Sequence, residues 1–197
     1  RQRQMCIRDR NRMVLIDAKT LAERFPQASI SSPKDQMLYE NLKSDELREA
    51  FKKIERLVKV RDRSVLEVRN RLHRDGFVAD VVDAAIDRAL SVGYLDDARF
   101  ADVLVRSRLS AGKGLSGILR ELRTHAIDPF EQLEGFPDDY LRNNLSQEEA
   151  AIALLCRKPP RSKNEKQAAY AKLIRSGYSA DIAANATKRW YKAKNNE

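Results

Sequence analysis

The sequence predicts an all-α protein: an elongated tandem array of three three-helix repeats that follows an N-terminal extension. Amphipathic stretches end three times in a glycine and an aromatic residue, at Gly76-Phe77, Gly93-Tyr94 and Gly177-Tyr178. Capping residues precede several of these stretches, and the second helices of the repeats recur roughly every fifty residues, a period typical of helical arrays. Only seven glycines in 197 residues also leave few positions for hairpin turns.

The first repeat is predicted over residues 44–95. Ser64 and Glu67 form a capping box at the start of its middle helix, before an apolar face that includes Leu72. The upstream helix carries an apolar stripe at Phe51, Ile54, Leu57 and Val58. Apolar residues at helical spacing mark the third helix: Val78, Val81, Val82, Ala85, Ile86, Ala89 and Leu90. Glycine closes a helix in the left-handed conformation, so we expect each following aromatic residue to be buried against the last turn.

The second repeat is predicted over residues 96–145. Asp96 or Asp97 begins a helix with Phe100, Ala101, Leu104 and Val105 on its apolar face. A turn at residues 112–114 leads to a helix with Ile118, Leu119 and Leu122. A short third helix is predicted over residues 129–134 with Asp128 as its cap, and residues 135–144 lengthen the repeat irregularly.

The third repeat is predicted over residues 146–194. Ser146 and Glu149 form another capping box, and that helix runs to about Arg157, before two prolines. Asn164 caps a helix with Ala169, Tyr170, Leu173 and Ile174, and Ser179 caps a last helix with Ile182, Ala186 and Trp190.

The N-terminal region divides into two parts. We interpret residues 1–10 as a sequencing-adapter artefact, since they match the translation of a transposase-library adapter; the alternative is a natural basic tail. They carry four Arg and one Asp, which is +3 of the formal +9, so about +6 remains. Residues 11–43 form the extension, with an apolar run over 14–16 and a helix over 19–25, and no function is assigned to it.

The composition and the reactive residues favour a protein without catalytic activity. His73, His125 and Cys156 form no set of nucleophile, base and orienting group, so we expect no enzyme and no cofactor. Residues 112–114 lack the spacing of a phosphate-binding loop, and a helix-to-helix turn is the better interpretation than a phosphate cradle. Asp96 and Asp97 are interpreted as helix caps rather than metal ligands. The absence of a signal peptide and of a long apolar stretch predicts a cytoplasmic protein.

Cations on the polar helix faces are the candidate binding residues. A solvated face is the simplest interpretation of such a charge pattern. Arg nevertheless outnumbers Lys in this region, and its guanidinium pairs bidentately with carboxylate or phosphate. We call the following set the basic stripe: Arg63, Arg71, Arg74, Arg99, Arg106, Lys113, Arg120 and Arg123.

The motifs of the first two repeats closely resemble the signature of the RecX family, bacterial regulators of the recombinase RecA. The resemblance covers roughly residues 45–193 and is most specific in the run from Gly93 to Ala101. The motif residues to which it assigns a structural role are Ser64, Glu67, Leu72, Gly76, Phe77, Gly93, Tyr94, Leu95, Asp96, Asp97, Phe100 and Ala101. One departure is Ala126, where the family usually has Gly; if that position needs a left-handed backbone, Ala costs about 1 kcal/mol.

The resemblance implies a protein that binds RecA or its filament on single-stranded DNA and mainly inhibits it, in DNA repair and the SOS response. We expect the protein to be a monomer. The basic stripe would then face RecA or DNA. Two alternatives stay open: a helical protein that binds DNA directly through the stripe, and a helical adaptor for another partner.

Overall fold

The computed structural model describes residues 33–142 and 146–195, and within these ranges it contains ten helices and no strand. The predictions for residues 1–10, for the apolar run over 14–16 and for the helix over 19–25 lie outside the described residues. The all-helical class is confirmed. The chain divides into two structural units, one that ends at Asp96 and one that begins at Asp97. The boundaries of the three repeats stay a prediction.

The described part of the first unit holds three helices: α1 (Pro33–Val58), α2 (Val65–Arg74) and α3 (Ala79–Ser91). Ser64 caps α2, its hydroxyl accepting a hydrogen bond from the backbone N–H of Glu67 at 3.2 Å. The chain reverses at Gly76, with φ of 95°, where the N–H of Phe77 bonds back to the carbonyl of Leu72 at 3.2 Å. The three helices enclose one apolar core: Ala50, Ile54, Val68, Leu72, Val81, Val82, Ala85, Ile86, Ala89 and Leu95.

The structure corrects three predictions for this unit. The first helix begins at Pro33, inside the range assigned to the extension. Val78 is the N-cap of α3 rather than a residue within it. Leu90 is 43% exposed, because it lies one position, about 100° of rotation, beyond buried Ala89.

The aromatic residues after the glycines do not share one environment. Tyr178 is only 3% exposed, as predicted, whereas Phe77 is partly buried beside the core. Tyr94 is 40% exposed, which contradicts the prediction, and Leu95 enters the core in its place. The Tyr94 ring instead stacks on Phe51 at 5.7 Å between centroids.

The described part of the second unit contains seven helices around two apolar cores. They are α4 (Asp97–Ser110), α5 (Leu115–Thr124), α6 (Pro129–Gln132), α7 (Asp138–Arg142), α8 (Gln147–Arg157), α9 (Glu165–Arg175) and α10 (Ala180–Lys194). The core of α4 to α7 comprises Phe100, Ala101, Leu104, Val105, Ile118, Leu122, Ile127, Leu133 and Tyr140. The core of α8 to α10 comprises Ala151, Leu155, Ala169, Leu173, Tyr178, Ala183, Ala186 and Trp190.

The helix caps of this unit lie where the sequence predicts them, but its two short helices differ from the prediction. Ser146 and Glu149 form the complete capping box, and Asn164 accepts a hydrogen bond from the N–H of Gln167 at 3.2 Å. Ser179 occupies the N-cap position of α10 without a side-chain capping bond. The helix predicted over residues 129–134 ends at Gln132 because Leu133 is extended, and residues 138–142 form α7 where irregular chain was predicted.

Three glycines bring α5 against the turn between α9 and α10. The N–H of Gly117 donates to the carbonyl oxygen of Gly177 at 2.8 Å, and the N–H of Gly114 donates to that of Ser176 at 3.1 Å. A Cβ on Gly117 would lie 2.6 Å from the Gly177 Cα, so only glycine fits this contact. We call Gly114, Gly117 and Gly177 the glycine joint. It links the helices of the predicted second and third repeats backbone to backbone.

Candidate basic interaction surface

In the first unit, the basic stripe comprises one half-buried arginine and two exposed ones. Arg63 pairs with Glu67, and only 20% of its side chain is exposed. Burial alone would raise the pKa of the Glu67 carboxyl, but hydrogen bonds from Arg63 and Arg61 hold that pKa below its ordinary value. Arg63 is therefore positioned by the protein itself rather than displayed to a partner.

Arg71 and Arg74 lie on the exposed side of α2. Arg71 donates through Nε to Asp75 at 3.2 Å, and Lys53 of α1 lies 3.1 Å from the same carboxylate. Burial raises the pKa of Asp75, but the hydrogen bonds from Lys53 and Arg71 outweigh it, so the pKa is lowered. Arg74 donates to the backbone carbonyl of Asn70 at 3.2 Å. Of these two, Arg74 is the one without a carboxylate partner among the described residues.

In the second unit, Arg106 belongs to a small network on α4. Its Nε donates to both oxygens of Asp102, at 2.9 and 3.0 Å, and its guanidinium lies 4.8 Å from the centroid of the Tyr140 ring. The Tyr140 hydroxyl donates to Asp102 at 2.6 Å. The Arg106 hydrogen bond is the main reason that the pKa of Asp102 is lowered. Arg106 thus holds α7 to α4 and has part of its charge compensated.

The remaining stripe residues lie on α4, α5 and the turn between them. Arg108 binds Glu121 in bidentate fashion, and these hydrogen bonds are the main reason that the pKa of Glu121 is lowered. Lys113 lies 3.7 Å from the same carboxylate, and its charge lowers that pKa further. Arg120 and Arg123 are exposed on α5, opposite buried Ile118 and Leu122, and form no ion pair with a described residue. Arg99 is exposed on α4. Arg120 and Arg123 are therefore the stripe members of this unit most available to an external anion.

The turn at residues 112–114 is built as a turn. The N–H groups of Gly112 and Lys113 bond to carbonyls at the end of α4, and that of Gly114 bonds to Ser176. The N–H of Leu115 donates to the Gln147 side chain at 2.8 Å. Because these amides are all occupied, they are not available to cradle a phosphate, in agreement with the preferred interpretation of the sequence.

The two histidines and Cys156 do not form a recognisable catalytic centre in the described residues. His125 follows the last turn of α5 and packs its ring on Phe100, with the centroids 4.9 Å apart. His73 is exposed near the end of α2, and Cys156 is exposed on α8. Across residues 33–142 and 146–195, no group of three or more His, Cys, Asp or Glu side chains is arranged to hold a metal ion. Asp97 is the first residue of α4, where its carboxylate complements the helix dipole, and the capping role of Asp96 and Asp97 stays a prediction.

A second group of cations was not singled out from the sequence. Arg157 and Lys158 end α8, and the ammonium group of Lys172 on α9 donates to the carbonyl of Lys158. Burial first, and then the charges of Lys158 and Arg157, lower the pKa of Lys172. Within the described chain, none of the three forms an ion pair with a carboxylate. The capping signals place α8 and α9 correctly, but the meeting of their ends depends on tertiary packing.

The described helices also lack one property of membrane proteins. None of them is both long enough and apolar enough to span a bilayer.

The fold and these surfaces define the class of protein. It is a helical-repeat protein that exposes arginine-rich helix faces. Family models described as the first and second three-helix domains of RecX match residues 50–88 and 96–130, which correspond to the last part of α1 through α3 and to α4 through the start of α6. Over these two segments the chain is similar to the RecX family.

Named relatives agree with this similarity. The chain is 41% identical over 68 residues to the regulatory protein RecX of Xanthomonas oryzae pv. oryzae, covering 34% of this chain and 42% of that protein. It is 42% identical over 74 residues to RecX of Mycolicibacterium smegmatis, covering 37% of this chain and 39% of that protein. RecX of Bacillus licheniformis is 30% identical over 154 residues, which cover 72% of this chain and 55% of that protein. The matched region thus spans about half or less of the length of these curated relatives.

Solved structures show the same fold. The crystal structure of RecX from Lactobacillus salivarius superposes with a TM-score of 0.57 at 19% identity, covering 75% of this chain and 97% of that one. A second crystal structure of a regulatory protein RecX has a TM-score of 0.58 at 16% identity, covering 84% of this chain and 83% of that one. At these identities, the likeness establishes the helical fold.

Proposed function

We propose that this chain binds RecA, or the RecA filament on single-stranded DNA, and restrains its recombinase and ATPase activities. The observation that carries the proposal is the match of two consecutive RecX domains to residues 50–88 and 96–130. The setting would be DNA repair and the SOS response in the bacterial cytoplasm.

The mechanism that we propose is stoichiometric. The protein binds along the filament or at its end, and so blocks subunit addition or holds the filament in a state that does not exchange strands. Arg74, Arg120 and Arg123 support this mechanism because they are exposed and have no carboxylate partner among the described residues. A guanidinium in that state can pair bidentately with a carboxylate of RecA or with a phosphate of the bound DNA.

The proposed activity needs no catalysis and no cofactor of its own. We expect the purified protein to hydrolyse no ATP and to lower the DNA-dependent ATPase rate of RecA at substoichiometric or near-equal ratios. ATP turnover by the isolated protein, free of RecA, would contradict the regulator hypothesis.

Cosedimentation tests the binding step directly. Filaments of RecA on single-stranded DNA are pelleted with increasing amounts of the protein, and we expect saturable recovery in the pellet. Controls with RecA alone and with DNA alone identify which component is needed. Absence of the protein from every filament pellet would refute the proposal and leave two hypotheses, direct binding to naked DNA and an adaptor for another partner.

Direct DNA binding is the second candidate, and the unpaired arginines of α5 favour it equally on charge alone. The two candidates differ in salt dependence on naked DNA. If the protein neutralises several phosphates by itself, its affinity for single-stranded DNA falls steeply with salt, with a log-log slope of about −0.7 for each phosphate contacted. A shallow slope with DNA, together with tight filament binding, favours the RecA hypothesis.

A further inference from the structure

A cleft of about 260 Å³ opens in the second unit between α8 and the end of α4. Its apolar lining consists of Leu109, Ala150, Ala153 and Leu154. Lys113 and Arg157 are the two cations that line it. The cleft therefore combines a small apolar surface with positive charge.

The charge around the cleft is positive after its own ion pairs are taken into account. Glu121 is shared by Arg108 and Lys113, so this group retains one positive charge. Arg157 adds another and forms no ion pair with a described residue. Burial is the main cause of the lowered pKa of Lys172, and the charges of Lys158 and Arg157 lower it further, as expected near other cations at this end of α8.

The parts of the chain that border the cleft are firmly held. The Tyr178 hydroxyl donates to the carbonyl of Gly112 at 2.9 Å, which fixes the turn that carries Lys113. The Gln147 side chain accepts from the N–H of Leu115 at 2.8 Å and ties the start of α8 to the start of α5. The glycine joint holds the same α5 against the turn before α10. A site with prearranged borders loses less conformational entropy when it binds a ligand.

We propose that this cleft binds an acidic peptide segment of the protein partner, with an apolar side chain on the lining and carboxylates paired to Arg157 and Lys113. The inference rests on the proposed function in that it takes the partner to be a protein. A phosphodiester backbone would satisfy the cations but offers no apolar group for the surface of Leu109 and Leu154. An acidic segment with an apolar anchor satisfies both the cations and the apolar surface. Protein interfaces usually place apolar groups at the centre and charged groups at the rim.

The test uses a fluorescein-labelled ten-residue peptide, with one central leucine flanked by glutamates, and the full chain. Binding is followed by fluorescence anisotropy. Ala153→Trp fills the cleft without changing charge, and the double variant Lys113→Glu with Arg157→Glu reverses its cations. The matched control is Lys188→Glu with Lys192→Glu, an equal charge change at exposed positions of α10 that do not line the cleft. Circular dichroism melts establish that each variant is folded.

We expect saturable binding that weakens at least about tenfold in Ala153→Trp and in the cleft double variant, but less than about threefold in the control. Replacing the peptide leucine by serine should weaken binding at least about fivefold. The inference is overturned if no saturable binding occurs up to about 1 mM peptide, or if Ala153→Trp binds like the wild type. It is also overturned if an oligothymidylate binds in place of the peptide and is lost in the cleft double variant, which would identify phosphate as the occupant.

The outcome for the cleft is separate from the outcome for the proposed function. A wild-type protein that cosediments with RecA filaments but fails the peptide test retains the proposed function and loses the cleft inference. A protein that passes the peptide test but never pellets with filaments retains the acidic-segment site, and RecA is then not its partner.

Discussion

Gly117 and Gly177 lie back to back across the second unit, with the Gly117 N–H donating to the Gly177 carbonyl at 2.8 Å. A Cβ on either glycine would lie 2.6 Å from the Cα of the other. No flexible side chain intervenes, so a larger residue must push two backbones apart. The contact makes the helices of the predicted second and third repeats depend on one another for stability.

The first prediction tests this contact with Gly117→Ala. Gly117 lies within α5 and does not have a positive φ, so the better helix propensity of Ala opposes the clash. We expect the clash to prevail and to lower the free energy of unfolding by about 1 to 3 kcal/mol in urea denaturation. The control is Gly93→Ala, where φ is +73° but nothing lies within 4 Å of the added Cβ, so that about 1 kcal/mol of backbone strain is the expected cost. A Gly117→Ala variant as stable as the wild type would show that the backbones separate freely.

The second prediction concerns Ala126, which has a φ of 57°. Ala126 therefore has the left-handed backbone that the glycine usual in the family suggested. The Cβ of Ala is sterically strained in this conformation, whereas Gly has no Cβ. We expect Ala126→Gly to raise the free energy of unfolding by about 0.5 to 1 kcal/mol, after the larger entropy of Gly in the unfolded chain is included. Ala193→Gly at an exposed helical position of α10 is the matched control and should destabilise by about the same amount. If both substitutions destabilise, Ala126 is not strained.

The third prediction separates two tyrosines that the sequence treats alike. Tyr178 is 3% exposed in the core of α8 to α10, whereas Tyr94 is 40% exposed and stacks on Phe51. Tyr178→Ala should therefore cost about 3 to 5 kcal/mol of unfolding free energy, and Tyr94→Ala only about 1 to 2 kcal/mol. Chemical denaturation measures both values. Equal costs would mean that exposure does not determine the contribution of these rings.

These tyrosines illustrate what sequence could and could not provide. Capping at Ser64, Ser146 and Asn164 depends on residues three positions apart, so it was predicted correctly from the chain alone. Whether Tyr94 or Leu95 enters the core depends on how the turn at Gly93 meets α1, which is tertiary information. Local signals predict the helical fold, but they do not predict which of two neighbouring residues enters the core.

The same distinction applies to the basic stripe. The pairing of Arg106 with Asp102 is a contact of residues four apart on one helix and could have been predicted. The bond from Tyr140 to Asp102 and the approach of Lys53 to Asp75 join distant segments, and no local pattern indicates them. Helical periodicity identified which arginines lie on polar faces, but only the structure shows which carboxylates they meet.

The fourth prediction uses the raised pKa of Tyr178. Burial raises the pKa of its hydroxyl from 10.0 to about 12 in the folded protein, so between these values the unfolded chain holds fewer protons than the folded one. Stability contributed by this group is complete below pH 10 and falls as pH rises towards 12. We expect the wild type to lose about 1 kcal/mol more than Tyr178→Phe between pH 9 and pH 11, measured by urea denaturation. Parallel pH profiles for the two proteins would show that Tyr178 ionises normally.

The fifth prediction assigns binding to the unpaired arginines of the stripe. Arg120 and Arg123 are exposed on α5 and have no carboxylate partner among the described residues, whereas Arg71 and Arg106 already bind Asp75 and Asp102. Reversing Arg71 or Arg106 would place like charges together and confuse binding with local stability. The double variant Arg120→Glu with Arg123→Glu avoids this, and its free energy of unfolding should change by no more than about 0.5 kcal/mol.

Affinity for the RecA filament should respond differently in this variant. Replacing attraction by repulsion against carboxylate or phosphate should weaken cosedimentation at least about tenfold, or about 1.4 kcal/mol, and should reduce its dependence on salt. The control reverses Lys188 and Lys192, which are exposed on α10 and also lack an ion pair with a described residue. Both variants change the net charge by the same amount. If they weaken binding equally, net charge accounts for the effect and the stripe is a solvated surface; a loss confined to the arginine variant locates the filament contact on α5.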